Sequence, residues 1–197
     1  MNYRYSLTIN GGLSDDLGED STEAGGYYSR LLQEHDAVIL SSKSLPKHPL
    51  PESKEPNSNQ PLRLILAKHP EIPHITLQET ASKVIIFTDQ ETDKGSEQGI
   101  ETVVLDKINL RTILEHCKRQ GLCSVLLDLR GGFGDFEDIL KGVEENLVQK
   151  FVVEVLPIWG ENKEDASLEA IKISQRAGLK NLEPKTKGKS VLLEGYF

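Results

Sequence analysis

The sequence predicts an α/β protein with a mostly parallel sheet that ends in antiparallel strands. Three observations lead to this prediction. Short apolar runs of strand length recur along the chain, and segments with helical periodicity lie between several of them. The last two runs have no firm helical segment between them, as expected for antiparallel strands. The 197 residues fit a single domain over 1–197, which we expect to have been excised from a longer protein.

The first half of the chain combines strands, one helix and long loops. Strands are expected at 3–10, 37–40, 62–67 and 83–88. A helix is expected over 24–35, because Tyr27, Leu31 and Leu32 recur at helical spacing. The acidic stretch 14–22 and the proline-interrupted stretch 43–60 both predict exposed loops.

The second half begins with a strand over 101–105 and a well-delimited helix over 109–120. Asn109 is a good N-cap for this helix and Gly121 a good residue to follow its end. Further strands are expected at 125–127, 150–157 and 189–196. A helix that places Phe136, Ile139, Leu140 and Val143 inward through Leu147 follows the first of them, and a short helix is expected near 165–171.

Composition excludes several classes of function. A net charge of −8 argues against a nucleic-acid groove or an anionic membrane surface, because both favour basic proteins. No apolar run approaches the ~20 residues of a membrane span. The N-terminus lacks the features of a secretory signal and of a transit peptide. We therefore expect a protein with neither a nucleic-acid partner nor a membrane partner.

Cysteine and histidine usage predicts neither disulfides nor a metal site. Cys117 falls in a helical pattern and Cys123 at the start of a buried strand, so both are expected to be reduced core thiols. The five histidines show no metal-ligand spacing with cysteines or carboxylates, and His116 is expected at the surface. Trp159 is expected to pack under the C-terminal strands, with an interface role as the alternative.

A glycine-rich turn follows the buried strand that ends near Asp128. Gly131 and Gly132 leave the backbone bare where a helix is expected to begin, and such amides attract anions. A phosphate cradle and an ordinary tight turn both remain open. Arg130 beside the turn and Arg63 within an apolar strand could each reach a cofactor phosphate. Arg63 could equally be a sheet-edge residue, and Asn10 and Asp128 could be ordinary turn residues.

Several strings, in the right order, resemble one known family. They are Ser6 to Gly11, Leu31 to Leu40, Gln60 to Leu66, Ser124 to Gly132, and Asn146 to Val148 followed by Pro157 and Gly160. Together they resemble the C-terminal reductase domain of the riboflavin-pathway pyrimidine deaminase/reductase over nearly the whole chain. The resemblance implies a dihydrofolate-reductase-like three-layer sandwich that binds NADPH.

The resemblance also assigns roles and partners. It implies cofactor contacts by Gly131, Gly132, Arg130 and Arg63 and substrate contacts by Asn10 and Asp128. It implies a homodimer through the C-terminal strands and an N-terminal deaminase domain that would hold the zinc. The nearest pattern is that of plant proteins whose reductase-like domain lacks substrate-binding residues, which implies a plastid location.

The sequence departs from the family mainly where the substrate would bind. The family's Asp after the first strand is Asn10, the Asp ending its Pro-x-Arg strand is Ala67, and the Glu before the glycine pair is Arg130, unless Asp128 replaces it. Each lost charged contact costs roughly 1.5–3 kcal/mol. We therefore expect a non-catalytic dimerisation domain. The alternatives are an active NADPH-dependent 5-amino-6-(5-phosphoribosylamino)uracil reductase and an unrelated α/β domain.

Overall fold

The computed structural model describes residues 1–8, 13–67, 83–90, 99–130, 147–160 and 178–197. Several predictions from the sequence concern residues outside these ranges. They are the roles of Asn10, Gly131 and Gly132, the helix expected to contain Phe136 to Val143, and the short helix expected near 165–171.

The described residues form ten strands and two α-helices. The strands are β1 (Asn2–Thr8), β2 (Leu13–Ser14), β3 (Ala37–Ser41), β4 (Leu62–Ala67), β5 (Val84–Thr88), β6 (Ile100–Val104), β7 (Val125–Asp128), β8 (Lys150–Leu156), β9 (Lys180–Lys187) and β10 (Ser190–Tyr196). The helices are α1 (Tyr27–Gln33) and α2 (Leu110–Arg119), and a 3₁₀ turn covers Ser42–Ser44.

One sheet runs through the described part of the chain in the order β6-β5-β4-β3-β7-β1-β8-β10-β9, and β2 pairs with β1. Strands β6 to β8 in this order are parallel to one another. Strand β10 is antiparallel to β8, and β9 is antiparallel to β10. The predicted parallel sheet with C-terminal antiparallel strands is therefore confirmed.

The two helices cover opposite faces of the sheet. On one face of the sheet, Leu110, Ile113 and Cys117 of α2, together with Ile108 just before the helix, pack against the central strands. On the opposite face, Tyr27, Tyr28, Leu31 and Leu32 of α1 pack against the sheet. This arrangement gives three layers, helix on sheet on helix. Within the described residues, no helix has the length and apolar content needed to cross a bilayer.

Helix α2 follows its sequence signals closely. Asn109 and Thr112 form a reciprocal capping box, in which the Thr112 amide donates to Asn109 Oδ1 over 2.9 Å. At the other end Gly121 has φ +78°, and the Leu122 amide donates to the Cys117 carbonyl over 3.0 Å. These contacts form a Schellman motif, which needs a left-handed residue where Gly121 lies. The predicted start and end of the helix are thus confirmed.

Helix α1 begins three residues later than predicted, at Tyr27 instead of residue 24. The Ser21 carbonyl accepts from the Tyr28 and Ser29 amides over 3.0 and 3.2 Å, so a backbone group caps the helix. A Cβ on Gly26 would lie 2.3 Å from this carbonyl oxygen, which explains the glycine. The preceding stretch 14–22 is only partly the exposed loop expected, since Leu13–Ser14 forms β2 and Ser21 is buried.

Three further expectations are corrected. Strand β9 was not predicted, because its residues are polar, exposed and interrupted by Pro184. Cys123 is exposed instead of buried, whereas Cys117 is buried as expected. Trp159 is 81% exposed and does not pack under the C-terminal strands, because the chain leaves the sheet after Leu156.

Candidate functional site

The carboxyl end of β7 and interior residues of β1 and β8 contact the first residues of α1. This helix leads directly into the amino end of β3, so its first residues, Tyr27 and Tyr28, lie over the opposite, carboxyl edge of the sheet. Ligands of open α/β sheets bind at this edge. The candidate site is therefore the space between α1 and these three strands.

Six buried polar side chains fill this space, and we call them the charge cluster. They are Arg4, Tyr27, Tyr28, Asp128, Arg130 and Glu154. Strand register explains why they meet, since Arg4 lies opposite Asp128 on β7, and the next same-face residue of β1, Ser6, lies opposite Glu154 on β8. Two arginines and two carboxylates give the cluster no net charge, which is the usual condition for burying ions.

Asp128 is the centre of one half of the cluster. Its carboxylate accepts from Tyr28 Oη at 2.5 Å, Arg130 Nε at 2.9 Å and Arg4 Nη1 at 3.3 Å. Burial alone would raise the pKa of Asp128, but the charges of Arg130 and Arg4 outweigh it and lower the pKa to about 2. Asp128 is therefore ionised at any physiological pH.

Glu154 is the centre of the other half. Its Oε2 accepts from Tyr27 Oη at 2.5 Å and Arg4 Nη2 at 3.3 Å. Its Oε1 accepts from the Gly18 amide at 3.1 Å and from Ser190 Oγ at 2.8 Å. One carboxylate thus connects the loop before α1 to the C-terminal strand β10.

The cations and tyrosines of the cluster have shifted pKa values. Burial alone would lower the pKa values of Arg4 and Arg130, but the surrounding Tyr and Asp groups raise them instead. Burial raises the pKa values of Tyr27 and Tyr28, and the neighbouring carboxylates raise them further. Both arginines are therefore charged and both tyrosines neutral, so the tyrosines act as hydrogen-bond donors to the carboxylates.

The structure places Arg130 inside the molecule. Its side chain is 8% exposed, its guanidinium carbon lies 4.8 Å from the centre of the Tyr28 ring, and its Nη2 lies 2.8 Å from Asp128. The carboxylate therefore already binds this guanidinium.

Arg63 is also directed inward. It lies on β4, which is hydrogen-bonded on both sides, so the sheet-edge interpretation is wrong. Its Nε and Nη2 donate to the Pro51 carbonyl over 3.2 and 3.1 Å, and Nη2 lies 3.4 Å from Glu52. Burial lowers the pKa of Arg63. The guanidinium therefore holds the proline-rich segment against the sheet.

Sequence reasoning identified two of the six cluster residues, Asp128 and Arg130. It missed Arg4, Glu154, Tyr27 and Tyr28 as site residues. Glu154 carried a usable signal, because it is a lone charge within the apolar strand run 151–156, and such a charge is seldom buried without a partner. His116, expected at the surface, is half-buried and packs edge-on against Phe87.

A mostly parallel sheet with antiparallel C-terminal strands, covered by a helix on each face, places the described residues in the class of α/β sandwich domains. The model of the RibD C-terminal domain family matches residues 2–193, and the chain belongs to that family. The recognition and the fold class predicted from the sequence are thereby confirmed.

Curated relatives from plants match the chain along its length. The chloroplastic riboflavin biosynthesis protein PYRD of Arabidopsis thaliana is 45% identical over 205 aligned positions, which cover 98% of this chain and 48% of that protein. The protein of the same name from Zea mays is 40% identical over 198 positions, which cover 98% and 50%. The chain spans about half the length of the curated relatives it matches.

Solved structures share the fold at low sequence identity. A diaminohydroxyphosphoribosylaminopyrimidine deaminase/5-amino-6-(5-phosphoribosylamino)uracil reductase from Thermotoga maritima has a TM-score of 0.73 at 16% identity, covering 99% of this chain and 55% of that one. A riboflavin biosynthesis reductase from Saccharomyces cerevisiae has a TM-score of 0.70 at 16% identity, covering 99% and 88%.

Proposed function

We propose that this chain is a non-catalytic reductase-like domain of a riboflavin-biosynthesis protein. In this proposal the domain forms a homodimer and is attached to an N-terminal pyrimidine deaminase domain, which would hold the zinc. The observation that carries the proposal is the inward orientation of both arginines expected at the cofactor, Arg130 and Arg63. A guanidinium that is already bound to a carboxylate or a carbonyl contributes little to a phosphate.

The substrate side of the site supports the same proposal. Ala67 is fully buried at the end of β4, where the resemblance implies a carboxylate. The resemblance implies that the family's substrate-binding Asp-Asp-Pro loop would fall near residues 47–52, where the sequence has no such pattern. Lys47, in this segment, is exposed, and its Nζ lies 3.8 Å from Asp15. A phosphorylated pyrimidine needs several convergent charged partners, and each missing one weakens binding by about tenfold or more.

The second candidate is an active NADPH-dependent reductase of 5-amino-6-(5-phosphoribosylamino)uracil. It is favoured by the Gly131-Gly132 pair, which the sequence retains directly after β7, and by the reductase names of the structural relatives. A reductase of this kind needs NADPH as hydride donor.

Two measurements separate these candidates. The first is NADPH binding by fluorescence titration to the wild-type chain and to Gly131→Val, and the second is turnover of the pyrimidine with NADPH. We expect NADPH oxidation no faster than in the protein-free control. Turnover that is lost in Gly131→Val and in Arg130→Ala would refute the proposal and establish the reductase.

The C-terminal strands offer a surface for a second copy. Leu182 of β9 and Val191 and Leu193 of β10 lie on one face, and Leu182 is 55% exposed. The opposite face carries charged pairs such as Lys185 with Glu194. Among the described strands, β9 lies at the edge of the sheet, and it contains Pro184 and several lysines, which disfavour strand addition. We therefore expect two copies to pack through the apolar face and not through the edge.

Sedimentation velocity tests the dimer. We expect Leu182→Glu to weaken the dimer by about tenfold or more, because a charge would be buried in an apolar contact. Glu183→Gln is the matched control, since its side chain lies on the opposite face of the same strand. A wild-type chain that stays monomeric at high concentration would contradict dimerisation. The chloroplastic names of the plant relatives favour a plastid location for this chain as well.

A further inference from the structure

The guanidinium of Arg130 is held the way a binding pocket holds a ligand. One side is the Tyr28 ring, at 4.8 Å from the guanidinium carbon. At its edge, Nε donates to Asp128 Oδ2 over 2.9 Å, Nη2 lies 2.8 Å from the same oxygen, and Nη2 donates to Tyr28 Oη over 2.5 Å. A cation that lies over an aromatic ring and directs two adjacent nitrogens at one carboxylate oxygen suits a flat guanidinium and does not suit the compact ammonium of lysine.

The receiving groups are positioned independently of Arg130. Asp128 also accepts from Arg4 and from Tyr28, so its carboxylate has partners without Arg130. Arg4 is in turn held by Tyr27 and by Glu154 on the far side of the cluster. Removal of the Arg130 side chain would therefore leave an ionised, oriented carboxylate beside an aromatic face.

We propose that Arg130 is an internal ligand, and that Asp128 and Tyr28 form a pocket for a flat organic cation of the guanidinium or amidinium class. This inference goes beyond the proposed function, because a non-catalytic domain could have the space beside Asp128 and Tyr28 either empty or occupied by its own side chain. It predicts that the native chain excludes such cations from this place and that a chain without the Arg130 side chain binds them.

Chemical rescue of Arg130→Ala tests the pocket. The probe is methylguanidinium at 20 mM, and neutral methylurea of similar shape is the control for cavity filling. A ligand with few non-hydrogen atoms should bind at about 1 mM. Binding at this strength shifts the unfolding equilibrium of Arg130→Ala about 20-fold and raises its melting temperature by about 5 °C. Wild type, Arg130→Met, which refills the space, and the exposed-site control Arg119→Ala should show no such rise.

The same experiment can overturn the inference. Equal effects of methylguanidinium and methylurea, or no effect on a folded Arg130→Ala, would show that no cation pocket exists there. If Arg130→Ala does not fold, nitrogen-15 NMR of the native chain decides instead. An internal ligand requires a slowly exchanging Arg130 Nε–H signal, identified by its loss in Arg130→Lys, and a rapidly exchanging signal would refute it. Neither readout depends on NADPH or on turnover, so this inference and the proposed function can fail separately.

Discussion

Replacement of Asp128 by asparagine tests whether the charge cluster holds the fold together. The substitution keeps the size of the side chain but leaves Arg4, Arg130 and Glu154 with a net charge of +1 in a site where Asp128 and Arg4 are fully buried. It also points an amide N–H₂ toward groups that are themselves donors. Loss of one partner from a buried ion pair costs about 3–5 kcal/mol, so we expect a loss of unfolding free energy of this size.

The assay is urea unfolding followed by circular dichroism at pH 7, at one fixed protein concentration. Asp16→Asn is the matched control, because Asp16 is exposed and forms hydrogen bonds with its near neighbour Ser14, and it should change stability by no more than about 0.5 kcal/mol. If Asp128→Asn lost less than about 1 kcal/mol at an unchanged denaturant slope, the cluster would not be a main source of stability.

The pH dependence of the unfolding free energy tests the Asp128 carboxylate in a second way. The pKa of Asp128 is about 2 in the folded protein, below its unfolded value. Its stabilisation is therefore fully present above about pH 4 and is lost as the pH falls toward 2. The difference amounts to about 2 kcal/mol. This is less than the asparagine penalty, because a protonated carboxyl presents only one donor. The stability gap between wild type and Asp128→Asn should narrow in this window and stay constant above pH 5.

Three further substitutions have local consequences. Gly18→Ala should destabilise by about 1–3 kcal/mol in urea unfolding, because its Cβ would lie 2.1 Å from Glu154 Oε1, whereas Gly178→Ala, whose Cβ would have no atom of the described residues within 4 Å, should not. Asn109→Ala should cost about 1 kcal/mol in the same assay through loss of the α2 capping box. The pKa of His35 lies below its usual value, mainly because the side chain is buried and also because Lys150 and the N-terminal amine are positively charged. Wild type should therefore lose stability relative to His35→Gln as the pH falls below about 6.5, and a parallel pH profile would contradict this.

Elements with local signals could be predicted from the sequence. Helix α2 is delimited by local interactions: the capping residue Asn109, the apolar positions of the helix and Gly121 after its end lie within a few residues of one another. All residues that take part are therefore visible in one short stretch of the sequence. The buried parallel strands were recognisable for a similar reason, since strands covered on both faces are continuous apolar runs. Strand β9 had no such signal, because an exposed edge strand needs neither an apolar run nor alternation.

The state of the candidate site depended on contacts between distant residues. Arg130 was visible as a cation beside a glycine turn, but its contact with Tyr28 joins positions 102 residues apart. The contact of Arg4 with Glu154 joins positions 150 residues apart. Strand register and the packing of distant elements decide whether an arginine faces a ligand or a neighbouring carboxylate. A short sequence motif contains no information about either.

A double-mutant cycle at Asp128 and Arg130 tests whether the two side chains stabilise the fold as an ion pair or independently of each other. Arg130→Met alone leaves the cluster at −1 and Asp128→Asn alone leaves it at +1, so each should be strongly destabilising. The double variant is neutral again, and its cost should fall short of the sum of the single costs by about 1–3 kcal/mol. Replacement of a whole buried pair is often close to neutral. If the two costs add within about 0.5 kcal/mol in urea unfolding, the pair does not act as a unit, and Arg4 alone keeps Asp128 ionised.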